Sequence, residues 1–172
     1  MKDFRYFLTK CRYVLFGRKQ EIVNNFFRRQ GVTIGKRCLI YSNILTSDSY
    51  LIEIKDDVVI STYVRFVTHD YSVKKVIPDK ANLFGKITIG SNCFIGEGSI
   101  LMYGIELSNN IIVAAGSVVT HSFLENNIII GGNPAKKIGD WESFQKKSLN
   151  QALNVRNCRE LVKEHPEFLV KR

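Results

Sequence analysis

Residues 87–123 read ITIGSNCFIGEGSILMYGIELSNNIIVAAGSVVTHSF. An aliphatic side chain recurs at every sixth residue of this stretch, at Ile89, Ile95, Leu101, Leu107, Val113 and Val119. A period of six matches neither the 3.6-residue period of an α-helix nor the two-residue alternation of a strand. The repeat therefore predicts a less common architecture, and the rest of the chain is interpreted outward from it.

A six-residue unit fits a short extended segment that points one aliphatic side chain inward and then turns a corner. Three units make a coil of about eighteen residues, and coils stack at the strand spacing of roughly 4.8 Å. The fourth residue after each aliphatic position should also face inward. These residues are small or apolar: Cys93, Ser99, Ile105, Ile111, Ser117 and Phe123. The repeat predicts a parallel β-helix of triangular section. It leaves the hand of the coil open, and general topology rules favour a right-handed path.

The sequence resembles hexapeptide-repeat acyltransferases in IGSNCFIGEGSILMYGIELSNNIIVAAGSVVT and in the GGNPAKKI that follows. It is most similar to maltose and galactoside acetyltransferases and to the sugar O-acetyltransferases of capsule and lipopolysaccharide pathways. The resemblance covers roughly residues 32–138. It implies an all-β core built as a left-handed parallel β-helix, a homotrimer, and acetyl-CoA as acyl-donor cosubstrate with no metal. A repeat specifies only a fold, so function has to be argued from the site.

Three segments are predicted along the chain. Residues 1–30 form an N-terminal helical segment, residues 31–138 the β-helix acyltransferase domain, and residues 139–172 a C-terminal helical tail. We expect the tail to cap the open end of the coil, because an uncapped coil exposes unpaired edge groups.

Two interruptions of the repeat are informative. The period breaks after Tyr71 and resumes at Ile89, so residues 72–86 are predicted to leave the coil as a loop. An earlier two-residue slip falls in residues 46–53 and predicts a polar bulge at a corner. Loops on a rigid scaffold commonly carry specificity.

The formal net charge of the 172-residue chain is +9, with basic residues crowded toward both ends. Such a charge implies anionic partners, such as phosphates, acidic glycans or a membrane surface, or else a solvated basic surface. No nucleic-acid motif accompanies it, so nucleic acid is not expected. Four cysteines, Cys11, Cys38, Cys93 and Cys158, lack ligand spacing and are expected as free thiols. Without a secretory signal or a long apolar run, we expect a cytoplasmic protein.

The N-terminal segment has apolar residues at helical spacing, flanked by basic ones. They are Phe4, Phe7, Leu8, Cys11, Val14 and Leu15. One interpretation is peripheral contact with the inner face of a membrane. The other is that the stripe packs on the β-helix or on a neighbouring subunit.

His69 ends a repeat just before the predicted loop, in the context THD. Acetyl transfer from a thioester needs a base for the acceptor proton, and neutral imidazole suits that task near pH 7. In the enzymes that the chain resembles, the catalytic histidine stands at this position. The other imidazole nitrogen needs a hydrogen-bond acceptor to fix the tautomer, and the candidates are a backbone carbonyl and Glu97. Asp70 should point to the opposite face.

The resemblance also implies binding residues. Gly98 and Ala115 are expected as corners that approach the pantetheine arm, and Thr120 as a polar contact. Lys136 and Lys137 are expected to bind the coenzyme phosphates. A tight corner alone would also require small residues at the first two positions.

Asn43 and Asp70 are the candidate acceptor-binding residues. Similar enzymes bind the acceptor with an asparagine before the catalytic histidine, and Asn43 is the asparagine nearest to that position in this sequence. An asparagine that only forms a corner turn would give the same pattern. The loop is expected to select the acceptor, and its basic residues Lys74, Lys75 and Lys80 suit an anionic acceptor or simple solvation.

The sequence thus predicts direct acetyl transfer to a hydroxyl of a sugar or cell-surface glycan precursor. A zinc-dependent carbonic anhydrase is excluded, because His69, His121 and His165 are too far apart along the coil to converge. Serine acetyltransferase shares the repeat but has a large N-terminal helical domain, which the thirty residues before the repeat are too few to form, so we do not expect that enzyme. A non-catalytic docking β-helix and a xenobiotic acetyltransferase stay open.

Overall fold

The structure is a computed structural model that describes residues 2–150, 152–153, 159–165, 167 and 169–170. Its core is a parallel β-helix with three faces. Face 1 contains β1 (Thr33–Ile34), β3 (Ile52–Ile54), β8 (Ile87–Ile89) and β11 (Glu106–Leu107). Face 2 contains β2 (Leu39–Ile40), β4 (Val59–Ile60), β9 (Phe94–Ile95), β12 (Ile112–Val113), β14 (Ile128–Gly132) and β15 (Ala135–Asp140). Face 3 contains β5 (Arg65–Phe66), β10 (Ile100–Leu101) and β13 (Val118–Val119).

The six-residue period sets the register between coils. Ile54 pairs with Ile89 on face 1, and Ile60 pairs with Ile95 on face 2. All six repeat positions from Ile89 to Val119 are at most 1% exposed. Of the six residues predicted to share the interior, five are buried and Phe123 is partly buried against the core. The predicted parallel β-helix and its inward positions are confirmed.

One corner of the coil is built from residues in the left-handed backbone region. Between faces 1 and 2 these are Arg37, Asp57, Asn92, Asn110 and Asn127, with φ between 56° and 61°. Asparagine tolerates this conformation better than most residues. The Asn92 side-chain amide donates to Asn110 Oδ1 at 2.8 Å, and that of Asn110 donates to Asn127 Oδ1 at 2.8 Å. This ladder fixes the corner from coil to coil.

The chain begins with two helices, α1 (Lys2–Leu15) and α2 (Glu21–Arg29). Helix α2 closes the first coil, since Val23, Phe26 and Phe27 are buried. The side-chain amide of Asn24 donates to the Cys38 carbonyl at 2.9 Å. No helix within the described part of the chain is long and apolar enough to cross a membrane.

The loop leaves the coil on a short antiparallel base, β6 (His69–Asp70) paired with β7 (Leu83–Phe84). A 3₁₀ turn at Ser72–Lys75 follows β6. A second 3₁₀ turn, Ser49–Leu51, lies within the earlier slip.

The C-terminal end differs from the expectation. Strands β14 and β15 form an antiparallel hairpin, and the NPAKK segment lies at its turn and on β15. Helices α3 (Trp141–Ser148) and α4 (Arg159–Glu164) come after it. Trp141 and Phe144 of α3 line a cavity with Phe94 and Ile112, outside face 2. Helix α3 thus lies along face 2, because outward-facing apolar residues there offer it a packing surface.

Cysteine predictions are confirmed where the structure describes them. Cys11, Cys38 and Cys93 are free thiols, the latter two buried, whereas Cys158 lies outside the described residues. Burial raises the pKa of the Cys93 thiol to about 11, so this sulfur stays protonated and packs as a small apolar group.

Shortening Ile95 tests the stacked core. Ile95 is fully buried between Ile60 and Val113 of the adjoining coils. We expect Ile95→Ala to lower the free energy of unfolding by about 2–5 kcal/mol, because it leaves a cavity. Urea denaturation followed by circular dichroism measures the change. Leu124→Ala, at a residue 68% exposed, is the matched control and should stay within about 0.5 kcal/mol of the native protein.

Candidate active site

Three consecutive coils place polar side chains at one corner, where face 3 turns into face 1. The first coil contributes Ser47 and Asp48, the second His69 and Asp70, and the third Tyr103. The loop base β6–β7 emerges at the same corner, and the ring of Phe84 lies 5.9 Å from that of His69, centroid to centroid. The result is an open polar site beside the loop.

His69 is held by Asp48. Its Nδ1 atom lies 2.8 Å from Asp48 Oδ2, and the histidine side chain stays 40% exposed while the aspartate is 17% exposed. A carboxylate accepts but does not donate, so a neutral His69 donates from Nδ1 and keeps its lone pair on Nε2. The arrangement leaves Nε2 able to accept a proton from a bound molecule.

Asp48 is itself oriented by hydroxyl groups. The Ser47 hydroxyl donates to Asp48 Oδ2 at 2.7 Å, and the Asp48 backbone N–H donates to Thr46 Oγ1 at 3.2 Å. The hydrogen bond from Ser47, followed by that from His69, lowers the pKa of the Asp48 carboxyl. Asp48 is therefore ionised at neutral pH and can stabilise a protonated imidazole.

The sequence did not identify Asp48. It lies 21 residues before His69, within the slip, where the repeat gives no register. The sequence suggests a backbone carbonyl or Glu97 for this role, whereas the structure places Asp48 there. Glu97 lies at the corner between faces 2 and 3, where its carbonyl accepts from Gly116 N–H at 2.7 Å.

Asp70 faces away from the His69–Asp48 pair, as the strand geometry predicts. Its Oδ1 accepts from the Ser72 backbone N–H at 2.8 Å and its Oδ2 from the Tyr103 hydroxyl at 3.3 Å. Hydrogen bonds from Ser72 are the main cause of its lowered pKa. Burial and the nearby Asp70 charge raise the pKa of Tyr103. Asp70 thus anchors the start of the loop to the third coil.

Three of the predicted coenzyme residues lie at the edges of face 3. Gly98 and Ala115 are exposed at the corner between faces 2 and 3, and Gly98 has φ +70° with open space beside it. Thr120 is exposed at the corner that carries His69, two coils further along. Within one protomer, the structure brings Thr120 but neither Gly98 nor Ala115 to the corner of His69.

Lys136 and Lys137 are exposed on β15, at the end of face 2. Lys137 forms an ion pair with Glu125, with Nζ 2.5 Å from Oε1. A phosphate would compete with that carboxylate for Lys137, whereas Lys136 reaches solvent directly. Of the two lysines, Lys136 is the better placed to bind an anion.

Asn43 lies at the corner between faces 2 and 3 and therefore away from His69. Its Oδ1 accepts from the Leu45 backbone N–H at 3.3 Å, as in a corner turn. It also lines a cavity of about 490 Å³ with Tyr6, Lys10 and Thr62. The structure does not bring Asn43 to the His69 corner within one chain.

The other histidines have different surroundings. The ring of His121 lies 4.4 Å from that of Phe123, and His165 pairs with Glu167 at 3.0 Å. In the described ranges, no three side chains of His, Cys, Asp or Glu cluster as metal ligands would.

Comparison with known proteins identifies the family. A model of the hexapeptide repeat of succinyl-transferase matches residues 86–121. The chain is 41% identical over 140 residues to protein CapG of Staphylococcus aureus, covering 78% of this chain and 80% of CapG. The chain belongs to the hexapeptide-repeat acyltransferase family. Acyltransferase is therefore its enzyme class.

Solved structures of this family share the fold. Galactoside acetyltransferase in complex with coenzyme A superposes with a TM-score of 0.60, at 19% identity over 74% of each chain. A hexapeptide-repeat acetyltransferase from Vibrio cholerae O1 biovar eltor, complexed with acetyl coenzyme A, superposes with a TM-score of 0.56 at 23% identity. That match covers 65% of this chain and 61% of the other.

Changing Asp48 to Asn tests how the histidine is held. The asparagine amide can donate to Nδ1, which would move the His69 proton to Nε2 and remove the basic lone pair from the open side. We expect the imidazole ¹⁵N chemical shifts to report Nδ1–H in the native protein and Nε2–H in Asp48→Asn. Asp70→Asn, which changes a carboxylate that does not contact His69, should leave the native tautomer. A native spectrum dominated by Nε2–H would contradict the assignment.

Proposed function

We propose that this protein is an acetyl-CoA-dependent O-acetyltransferase acting on a sugar or cell-surface glycan precursor. The observation that carries the proposal is the His69–Asp48 pair at the loop base, where the histidine side chain is 40% exposed and Nε2 is available as a general base. Membership of the acyltransferase family supports acyl transfer as the reaction. The galactoside acetyltransferase that shares the fold supports a sugar hydroxyl as acceptor.

In the proposed reaction His69 Nε2 takes the proton of the acceptor hydroxyl as its oxygen attacks the thioester carbonyl. The new C–O bond forms, the tetrahedral intermediate collapses with loss of the C–S bond, and His69 returns the proton to the departing sulfur. Asp48 stabilises the imidazolium between these two steps. Transfer is direct, with no covalent acyl-enzyme and no metal.

Acetyl-CoA as donor is supported by the coenzyme complexes of two relatives. We assign Lys136, assisted by Lys137, to the coenzyme phosphates, and Gly98, Ala115 and Thr120 to the pantetheine arm. Gly98 and Ala115 lie on one edge of face 3 and Thr120 lies on the other, so a groove between two protomers would bring one edge from each together. A homotrimer is therefore part of the proposal, as is the left-handed coil, which the fold shared with solved relatives supports.

The acceptor is assigned to the loop side of the site. Phe84 beside His69 offers an aromatic surface of the kind that packs on a sugar ring. Asp70 at the loop base and Asn43 of a neighbouring protomer are the proposed acceptor contacts. Action in the cytoplasm on a polysaccharide precursor belongs to the same proposal.

Calorimetry tests the coenzyme assignment. Native protein should bind acetyl-CoA, and Lys136→Ala should weaken binding about tenfold by removing one charge-assisted phosphate contact. Lys146→Ala is the matched control, because Lys146 is an exposed lysine on α3 that pairs with Glu142. Absence of acetyl-CoA binding to the native protein would contradict the assignment of acetyl-CoA as the acyl donor.

Replacing His69 tests the catalytic assignment. His69→Ala should lower the release of free coenzyme A in the presence of galactosides or other sugars by about 100-fold or more, while acetyl-CoA binding persists. His165→Ala, which changes a histidine outside the coil, should keep the native rate. A His69→Ala protein that retains native turnover would refute the general-base role.

A further inference from the structure

Helix α1 presents an apolar stripe to solvent. The stripe consists of Phe4, Phe7, Leu8, Cys11, Val14 and Leu15, all of them exposed. Five of these side chains have exposed fractions of 46–78%, and Phe16 extends the surface beyond the helix at 60%. Such a continuous exposed apolar surface is unusual for a folded chain and indicates an interaction site.

The opposite side of α1 anchors the helix to the protein. The Tyr6 ring stacks on Phe27 at a centroid distance of 5.6 Å, and Tyr13 also packs against the core. Burial raises the pKa of Tyr6 to about 12. At 100° per residue, the two tyrosines lie opposite the stripe, so turning the stripe inward would expose them. The stripe does not pack on the β-helix of its own chain.

Basic residues border the stripe. Arg5 and Arg12 are exposed on one flank of α1, seven residues and two helical turns apart, and Arg18 and Lys19 come three and four residues after its last residue. Residues 1–30 contain eight basic and two acidic side chains, so this segment has a formal net charge of +6 out of +9 for the whole chain. The apolar surface and the excess charge therefore coincide at one end of the molecule.

We propose that α1 lies flat on an anionic lipid surface, with the stripe in the acyl boundary and the flanking arginines at the headgroups. A helix of 14 residues is about 21 Å long, which suits an interfacial helix and is too short to span a bilayer. A second copy of this chain fits less well, because it would bring the same positive charge to the contact. A lipid surface with negative headgroups complements both the stripe and its flanks.

The lipid contact is independent of the transferase proposal, because it requires neither acetyl-CoA nor His69. Failure of vesicle binding would therefore leave the catalytic assignment intact, and loss of catalysis would leave vesicle binding intact.

Vesicle flotation with the full-length protein tests the proposal. Native protein should bind vesicles of phosphatidylglycerol and phosphatidylcholine in equal parts, and should bind phosphatidylcholine alone much more weakly. Leu15→Ser, at a residue 78% exposed on the stripe, should weaken binding about tenfold by removing one inserted leucine. Leu124→Ser, 68% exposed and away from α1, is the matched control and should bind like the native protein.

A charge variant and a mass measurement complete the test. Arg5→Glu/Arg12→Glu should weaken binding to the anionic vesicles at least tenfold, because each basic residue at the headgroups contributes about a factor of five. Sedimentation velocity should give the same mass for the native protein, for Leu15→Ser and for Arg5→Glu/Arg12→Glu. Three results would overturn the proposal: no anionic-vesicle binding by native protein, native-like binding by Leu15→Ser, or a lower oligomeric mass of Leu15→Ser, which would assign the stripe to a second copy.

Discussion

The structure depends on stacking one aliphatic side chain per face directly above another. On face 2 the column runs through Ile40, Ile60, Ile95, Val113 and Ile130, and each member is fully buried. Parallel hydrogen bonds between coils keep this register, as where Gly96 N–H donates to the Val113 carbonyl at 2.9 Å. This stacking makes neighbours of residues on successive coils, and His69 meets Asp48 in that way.

The strict part of the repeat could be interpreted from sequence because every inward position recurs at a fixed interval. Ile89 and Val119 both occupy positions of the six-residue repeat, and the repeat predicts the burial of both. Asp48 follows no such rule, since it lies in a slip where two extra residues and a 3₁₀ turn alter the register. His69 could be identified by its place before the loop, whereas its partner required the three-dimensional stacking of two coils.

The ends of the chain show a second limit of sequence patterns. The spacing of Phe7 and Leu15 indicates an amphipathic helix but does not say which side meets the protein. Tyr6 decides this in the structure, because its ring packs on Phe26 and Phe27 and leaves the more apolar side in solvent. The hairpin β14–β15 was likewise missed, because its strand Ile128–Gly132 continues face 2 without following the six-residue period.

The central claim is that His69, oriented by Asp48, acts on an acyl group delivered along the edges of face 3. A crystal structure of the protein with bound coenzyme A would test this most directly. The account predicts the coenzyme in a groove between two protomers, with its phosphates at Lys136 and its sulfur within about 4 Å of His69 Nε2, close to attack distance. Coenzyme bound away from His69, or wholly within one protomer, would contradict it.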